Sequence, residues 1–113
     1  MNLISEINAV LETMGIPFEA GVFNEPFPQE YILITPLSEM FEVYSDDKPQ
    51  AEIQEARLSL YSKGNYLLCK NRIVKSFLEA DFSITDRHYV GFESDTKYYH
   101  YVIDVAKLYY LED

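Results

Sequence analysis

The stretch Ile53-Gln54-Glu55-Ala56-Arg57-Leu58-Ser59-Leu60-Tyr61-Ser62-Lys63-Gly64-Asn65-Tyr66-Leu67-Leu68-Cys69-Lys70 contains a change of hydrophobic period, and that change decides the fold. Up to Tyr61 the side chains alternate. Ala56, Leu58 and Leu60 fall on one side, and Glu55, Arg57 and Ser59 on the other, which is the pattern of a half-buried strand. Ser62-Lys63-Gly64-Asn65 interrupts the alternation, and the Asn65 side chain is suited to accept the first free amides of a helix. From Tyr66 to Ala80 the positions Tyr66, Cys69, Ile73, Phe77 and Ala80 recur at helical spacing, with Val74 and Leu78 widening the stripe. Lys70, Arg72 and Lys75 take the remaining face. A strand that passes straight into an amphipathic helix calls for a sheet with a helix packed on it.

Working towards the start, Leu3, Ile7, Val10, Leu11 and Met14 predict a first helix, ended by Gly15 and then Pro17. Pro17 to Phe23 reads as a short extended segment, and Asn24-Glu25-Pro26-Phe27-Pro28 as a loop, because its prolines remove backbone donors. Tyr31 to Thr35 is a β-branched and aromatic run that predicts a buried strand ending at Pro36. Met40 to Tyr44 extends the sheet or turns a corner, before the polar turn Ser45-Asp46-Asp47-Lys48-Pro49.

Towards the end, Phe82 to Thr85 opens another strand, and Tyr89–Phe92 with Tyr98–Tyr109 forms a closing hairpin around Glu93-Ser94-Asp95-Thr96. Both faces of that last strand are largely apolar, so it is expected to be central in the sheet or covered on two sides. The expected fold is α+β: one domain over residues 1–113, in the order α-β-β-β-α-β-β, with a mostly antiparallel sheet and both helices on one face.

Nine basic residues against nineteen acidic ones give a formal charge of −10, which disfavours tight binding to nucleic acid and to anionic membranes. No apolar run is long enough to span a bilayer as a helix, and Met1 to Glu6 lacks the basic-then-apolar order of a signal peptide. Cys69 is the single cysteine, so no internal disulfide forms, and its place on the apolar stripe predicts burial.

Catalytic constellations are not evident in the sequence. His88 and His100 fall in the closing hairpin, where no cysteine or carboxylate stands at metal-ligand spacing on the same strand face. A pairing of Cys69 with either histidine lacks a third, orienting group. Asp46, Asp47, Glu52 and Glu55 have no calcium-loop spacing and read better as a solvated acidic surface. None of the four glycines forms a phosphate-cradling loop. No enzymatic activity, cofactor or metal is expected.

The order of certain short motifs carries a resemblance. These are Ser45-Asp46-Asp47-Lys48-Pro49, Leu60-Tyr61-Ser62-Lys63-Gly64-Asn65-Tyr66, Ala80-Asp81-Phe82, Phe92-Glu93-Ser94-Asp95-Thr96 and Tyr98-Tyr99-His100-Tyr101. From about Tyr31 onward the chain resembles the tail terminator (tail completion) proteins of long-tailed bacteriophages and prophages. It departs from them at Asp81, where the family has glycine, and in its high tyrosine content.

The resemblance implies an α+β subunit of a homo-oligomeric ring, typically hexameric. Such a ring caps the major tail tube protein and meets the head connector or stopper protein. It implies assembly in the host cytoplasm, then a place in the virion tail, with DNA passing through unbound and no membrane involved. Under it Tyr44, Asp46, Asp47, Glu52, Glu55 and Tyr61 are candidates for subunit contacts or for an acidic lumen. An alternative from another class is an acidic mimic of DNA that occupies a nucleic-acid-binding enzyme; it requires carboxylates in two rows along one face. A third, a small hydrolase, requires a convergent pocket around His88 or His100.

Overall fold

The computed structural model describes residues 2–21, 27–45 and 47–111. In chain order its elements are α1 (Leu3–Met14), β1 (Phe18–Ala20), β2 (Glu30–Ser45), β3 (Lys48–Ser62), α2 (Tyr66–Glu79), β4 (Ser83–Glu93) and β5 (Tyr98–Tyr110). The five strands make one sheet in the order β1-β2-β3-β5-β4, antiparallel throughout except for the short β1, which runs parallel to β2. The α+β reading and the element order hold, and of the two places expected for the last strand the structure shows the central one, β5 lying between β3 and β4.

Both helices lie on one face of the sheet. Leu3, Ile7 and Leu11 of α1 and Cys69, Ile73 and Phe77 of α2 share a core with Ile32 and Ile34, Ala56, Leu58 and Leu60, and Ile103 and Val105. The strand residues in that set alternate, which places the core on a single side of the pleat. The ends of the helices are closed locally. Asn2 Oδ1 accepts from the amide of Ser5 at 2.8 Å, and Asn65 Oδ1 from Leu68 at 3.2 Å. Gly15 closes α1 at φ 73°, a left-handed conformation that only glycine adopts without steric cost. After α2 the same region is occupied by Asp81, at φ 67°. Aspartate is among the few other residues that enter it readily.

Three strand boundaries differ from the sequence reading. Pro36 does not end β2; the strand continues to Ser45 through a bulge between Pro36 and Ser38. The amide of Ile32 points outward to the carbonyl of Pro17, so by alternation the nitrogen of Pro36 also points outward, where no donor is needed. β3 starts at Lys48, leaving a turn far tighter than the five-residue one expected, with Asp47 at φ 62°. Ser83–Glu93 is one strand with two bulges, not two separate pieces. On α2, Leu78 is exposed and does not widen the core stripe.

Of the expected extended segment at 17–23, Phe18–Ala20 forms β1, while Val22 and Phe23 lie outside the described residues. Of the expected Asn24–Pro28 loop, Asn24, Glu25 and Pro26 also lie outside them; beyond it the Gln29 carbonyl accepts from the Lys63 amide at 3.0 Å. The β2–β3 hairpin extends well past the helices and gives the molecule dimensions of 54 × 25 × 25 Å.

Candidate interaction surfaces

The sheet face away from the helices begins with aromatic rings. Register sets Tyr31 beside Tyr61 and Tyr61 beside His100, one residue from each of β2, β3 and β5. Tyr31 and Tyr61 stack at 4.9 Å between centroids, and Tyr61 and His100 at 4.2 Å. Tyr98 meets Tyr31 edge-on at 5.3 Å and Tyr61 at 6.2 Å, and Phe27 packs on Tyr31 at 5.7 Å. The Tyr98 hydroxyl donates to the Pro28 carbonyl at 2.5 Å, which pins the incoming loop to the sheet.

These groups are neutral around pH 7. Burial, then the charges of Tyr61, Tyr98 and Glu93, pushes the Tyr31 phenol up to about 12. Burial also raises Tyr61 and Tyr98, and it lowers His100 below the usual imidazole value. The Nε2 atom of His100 is buried without a hydrogen-bond partner among the described residues, which disfavours the charged ring further.

Midway along the same face, the Asp104 carboxylate accepts from Nε of Arg57 at 2.8 Å and from Nη2 at 3.0 Å. The pair is bidentate and asymmetric in burial: the Asp104 side chain is 7% exposed and that of Arg57 36%. On the neighbouring strand, His88 Nδ1 lies 3.2 Å from Asp86.

On the helix side a second aromatic group surrounds Tyr66 at the start of α2. Tyr66 stacks on Tyr89 at 5.5 Å and on Tyr99 at 5.2 Å, while Phe92 packs against Tyr99 at 4.7 Å. Tyr89, Val90 and Phe92 belong to the edge strand β4 and remain substantially exposed. Further apolar surface lies along the long hairpin and the end of β5: Leu37, Met40, Phe41, Leu108 and Tyr110 are all exposed, Tyr110 by 73%. The sequence signal for this surface was the Met40-Phe41 pair placed between a proline and an acidic turn, with no helix predicted to cover it.

The six candidate residues do not form one patch. Tyr44 stands on β2 opposite Pro49, beside the hairpin turn. Asp46 lies outside the described residues, and Asp47 is exposed in the turn. Glu52 and Glu55 are three apart on β3 and face opposite sides of the sheet. Glu52 accepts from Gln54 Nε2 at 3.0 Å and borders a groove of about 530 Å³ with Glu6 and Lys107. Glu55 accepts from the Thr85 hydroxyl. Tyr61 is half-buried between Tyr31 and His100, so its ring faces are taken within the same chain.

Among the described residues, no three of His, Cys, Asp and Glu converge as a metal site would require. Cys69 is 4% exposed on the helix side, and burial, then the charge of Glu30, pushes its thiol up to about 11. His88 and His100 sit on the other face, so the sheet separates them from Cys69. No helix among the described residues is long and apolar enough to cross a membrane. Searched against protein-family models and against curated proteins, the chain matches none.

Proposed function

We propose that the protein is a non-catalytic ring subunit that caps the tail tube of a long-tailed phage or prophage and joins it to the head connector. The observation that carries this reading is the long β2–β3 hairpin, which leaves the two-helix core and holds apolar side chains in solvent on both faces. On the hairpin Leu37 and Phe41 are exposed on one face and Met40 on the other, where Leu108 and Tyr110 at the end of the adjoining β5 extend the exposed apolar surface. Exposed apolar side chains on such an arm suit contact with neighbouring subunits or with the tube. The element order supports the reading by agreeing with the resemblance, and the charge of −10 supports a conduit through which DNA passes without adhering.

The DNA-mimic alternative needs carboxylates aligned along one face, and the opposite facing of Glu52 and Glu55 weighs against it. The test is light scattering with negative-stain electron microscopy over a range of concentrations, alone and with the tube protein. Rings, hexameric by the resemblance, are expected; a strict monomer under every condition refutes the proposal.

A further inference from the structure

Both edges of the sheet are open among the described residues. Among the described residues β1 pairs with Ile32 to Ile34 of β2, and none pairs with the outer side of β2 from Thr35 to Ser45. At the opposite edge β4 pairs only with β5, leaving Ser83–Glu93 unpaired on its outer side. Unpaired strand edges present rows of amides and carbonyls that a further strand can satisfy. Three antiparallel steps separate β2 from β4, so the two edges run in opposite directions. A second copy rotated about an axis along the strands therefore lays its β4 antiparallel to the open edge of β2. That contact is heterologous, and it repeats until a ring closes.

Side chains favour this partner and select a register. Glu39 and Glu42 are the charges on the described part of the open β2 edge; on β4 Asp86 lies beside His88 and Glu93 accepts from the Thr96 hydroxyl, while Arg87 is exposed and without an ion pair among the described residues. Beside Glu39 lies a groove of about 350 Å³, bordered by Leu3, Ile4 and Leu37 on the helix side of the sheet. Arg87 pairs with the core residue Ile103, and Tyr89 stacks on Tyr66, so both also point to the helix side. Setting Arg87 opposite Glu39 in an antiparallel pair brings Tyr89 opposite Leu37, at the mouth of that groove. Charge meets charge and the exposed ring meets the apolar groove, with side chains of each pair on the same face.

We propose that subunits join head to tail through β4 of one copy and the open edge of β2 of the next, with Arg87 opposite Glu39. This rests on the ring reading and specifies the surfaces that make the ring. The bulges on either side of Asp86–Tyr89 and the bulge of β2 at Pro36–Ser38 confine the regular pairing to Asp86–His88 opposite Ser38–Met40, which limits uncontrolled edge-to-edge growth.

The test uses the full chain with Cys69→Ala, carrying Glu39→Cys together with Arg87→Cys, oxidised at the concentration that gives oligomers. Non-reducing electrophoresis is expected to show a ladder that ends at the ring size and collapses on reduction. Met40→Cys with Arg87→Cys, whose side chains lie on opposite faces, is expected to give no ladder. As a measurement independent of cross-linking, Glu39→Arg and Arg87→Glu singly are expected to weaken assembly at least tenfold, and together to restore most of it. Rings by microscopy with neither ladder nor charge-swap rescue overturn the proposed contact but leave the ring reading standing. A dimer that stops at β4 against β4, shown by Arg87→Cys alone, also overturns it. A chain that stays monomeric with the tube protein present overturns both.

Discussion

Replacing Arg57 by alanine tests whether the helix-free face of the sheet is governed by one charge pair. Its partner Asp104 is 7% exposed and receives two charge-assisted hydrogen bonds from Arg57. Removing one member of a fully buried pair costs about 3–5 kcal/mol, because the remaining charge is stranded. Arg57 itself is 36% exposed, so its removal opens a path for water to Asp104, and the expected loss falls to about 2–3 kcal/mol. Asp104→Asn leaves the guanidinium able to reach solvent and keeps one acceptor, so it is expected to cost only about 1 kcal/mol. Replacing both residues by leucine is expected to lie between neutral and about 1 kcal/mol destabilising.

Equilibrium unfolding in guanidinium chloride measures all four proteins, because an unchanged slope with a shifted midpoint isolates stability. The diagnostic result is the order, with Arg57→Ala worse than Asp104→Asn and both worse than the double replacement. An Arg57→Ala loss below about 0.5 kcal/mol, the range of surface pairs, refutes the reasoning.

Three further outcomes are expected. Burial alone would raise Glu6, but hydrogen bonds from Tyr109 and Lys107 and the charge of Lys107 outweigh it and hold the carboxyl below its ordinary value of 4.5. The stability it contributes is therefore complete above that value and is lost as pH falls through the lower folded value; Tyr109→Phe is expected to flatten this acid limb in denaturation curves taken from pH 5 to 3. His100 is held below 6.5, so its neutral form supports the fold above that pH and the support declines as pH falls through the folded value; a thermal-melt series shows whether His100→Phe removes the decline. Phe77 is fully buried between the helices and the sheet, and Phe77→Ala is expected to cost about 3–5 kcal/mol, read by calorimetry.

Local chemistry made much of this fold legible. Asn65, the Ser62-Lys63-Gly64 break and the alternation through Ala56, Leu58 and Leu60 each act within a few residues, and the structure places the cap, the break and the buried face where those residues specify. Pro36 misled because a missing amide is harmless on an outward-facing edge, and that its nitrogen faces outward is settled only by the pairing of β2 with β3 on one side and with β1 at Ile32–Ile34 on the other. The candidate interface residues failed to converge for a related reason. Glu52 and Glu55 are close in sequence, yet an odd spacing on a strand puts them on opposite faces. Tyr61 looked available until register set it between Tyr31 and His100.

By itself the sequence determined the element order, the single core, the helix caps and the acidity, because period, capping and charge depend on near neighbours. Tertiary structure alone decided the register that stacks the tyrosines, the burial of Asp104 under Arg57 and the two open sheet edges. Those features come from residues far apart in the chain, and their positions follow from which strands pair and where the pairing stops.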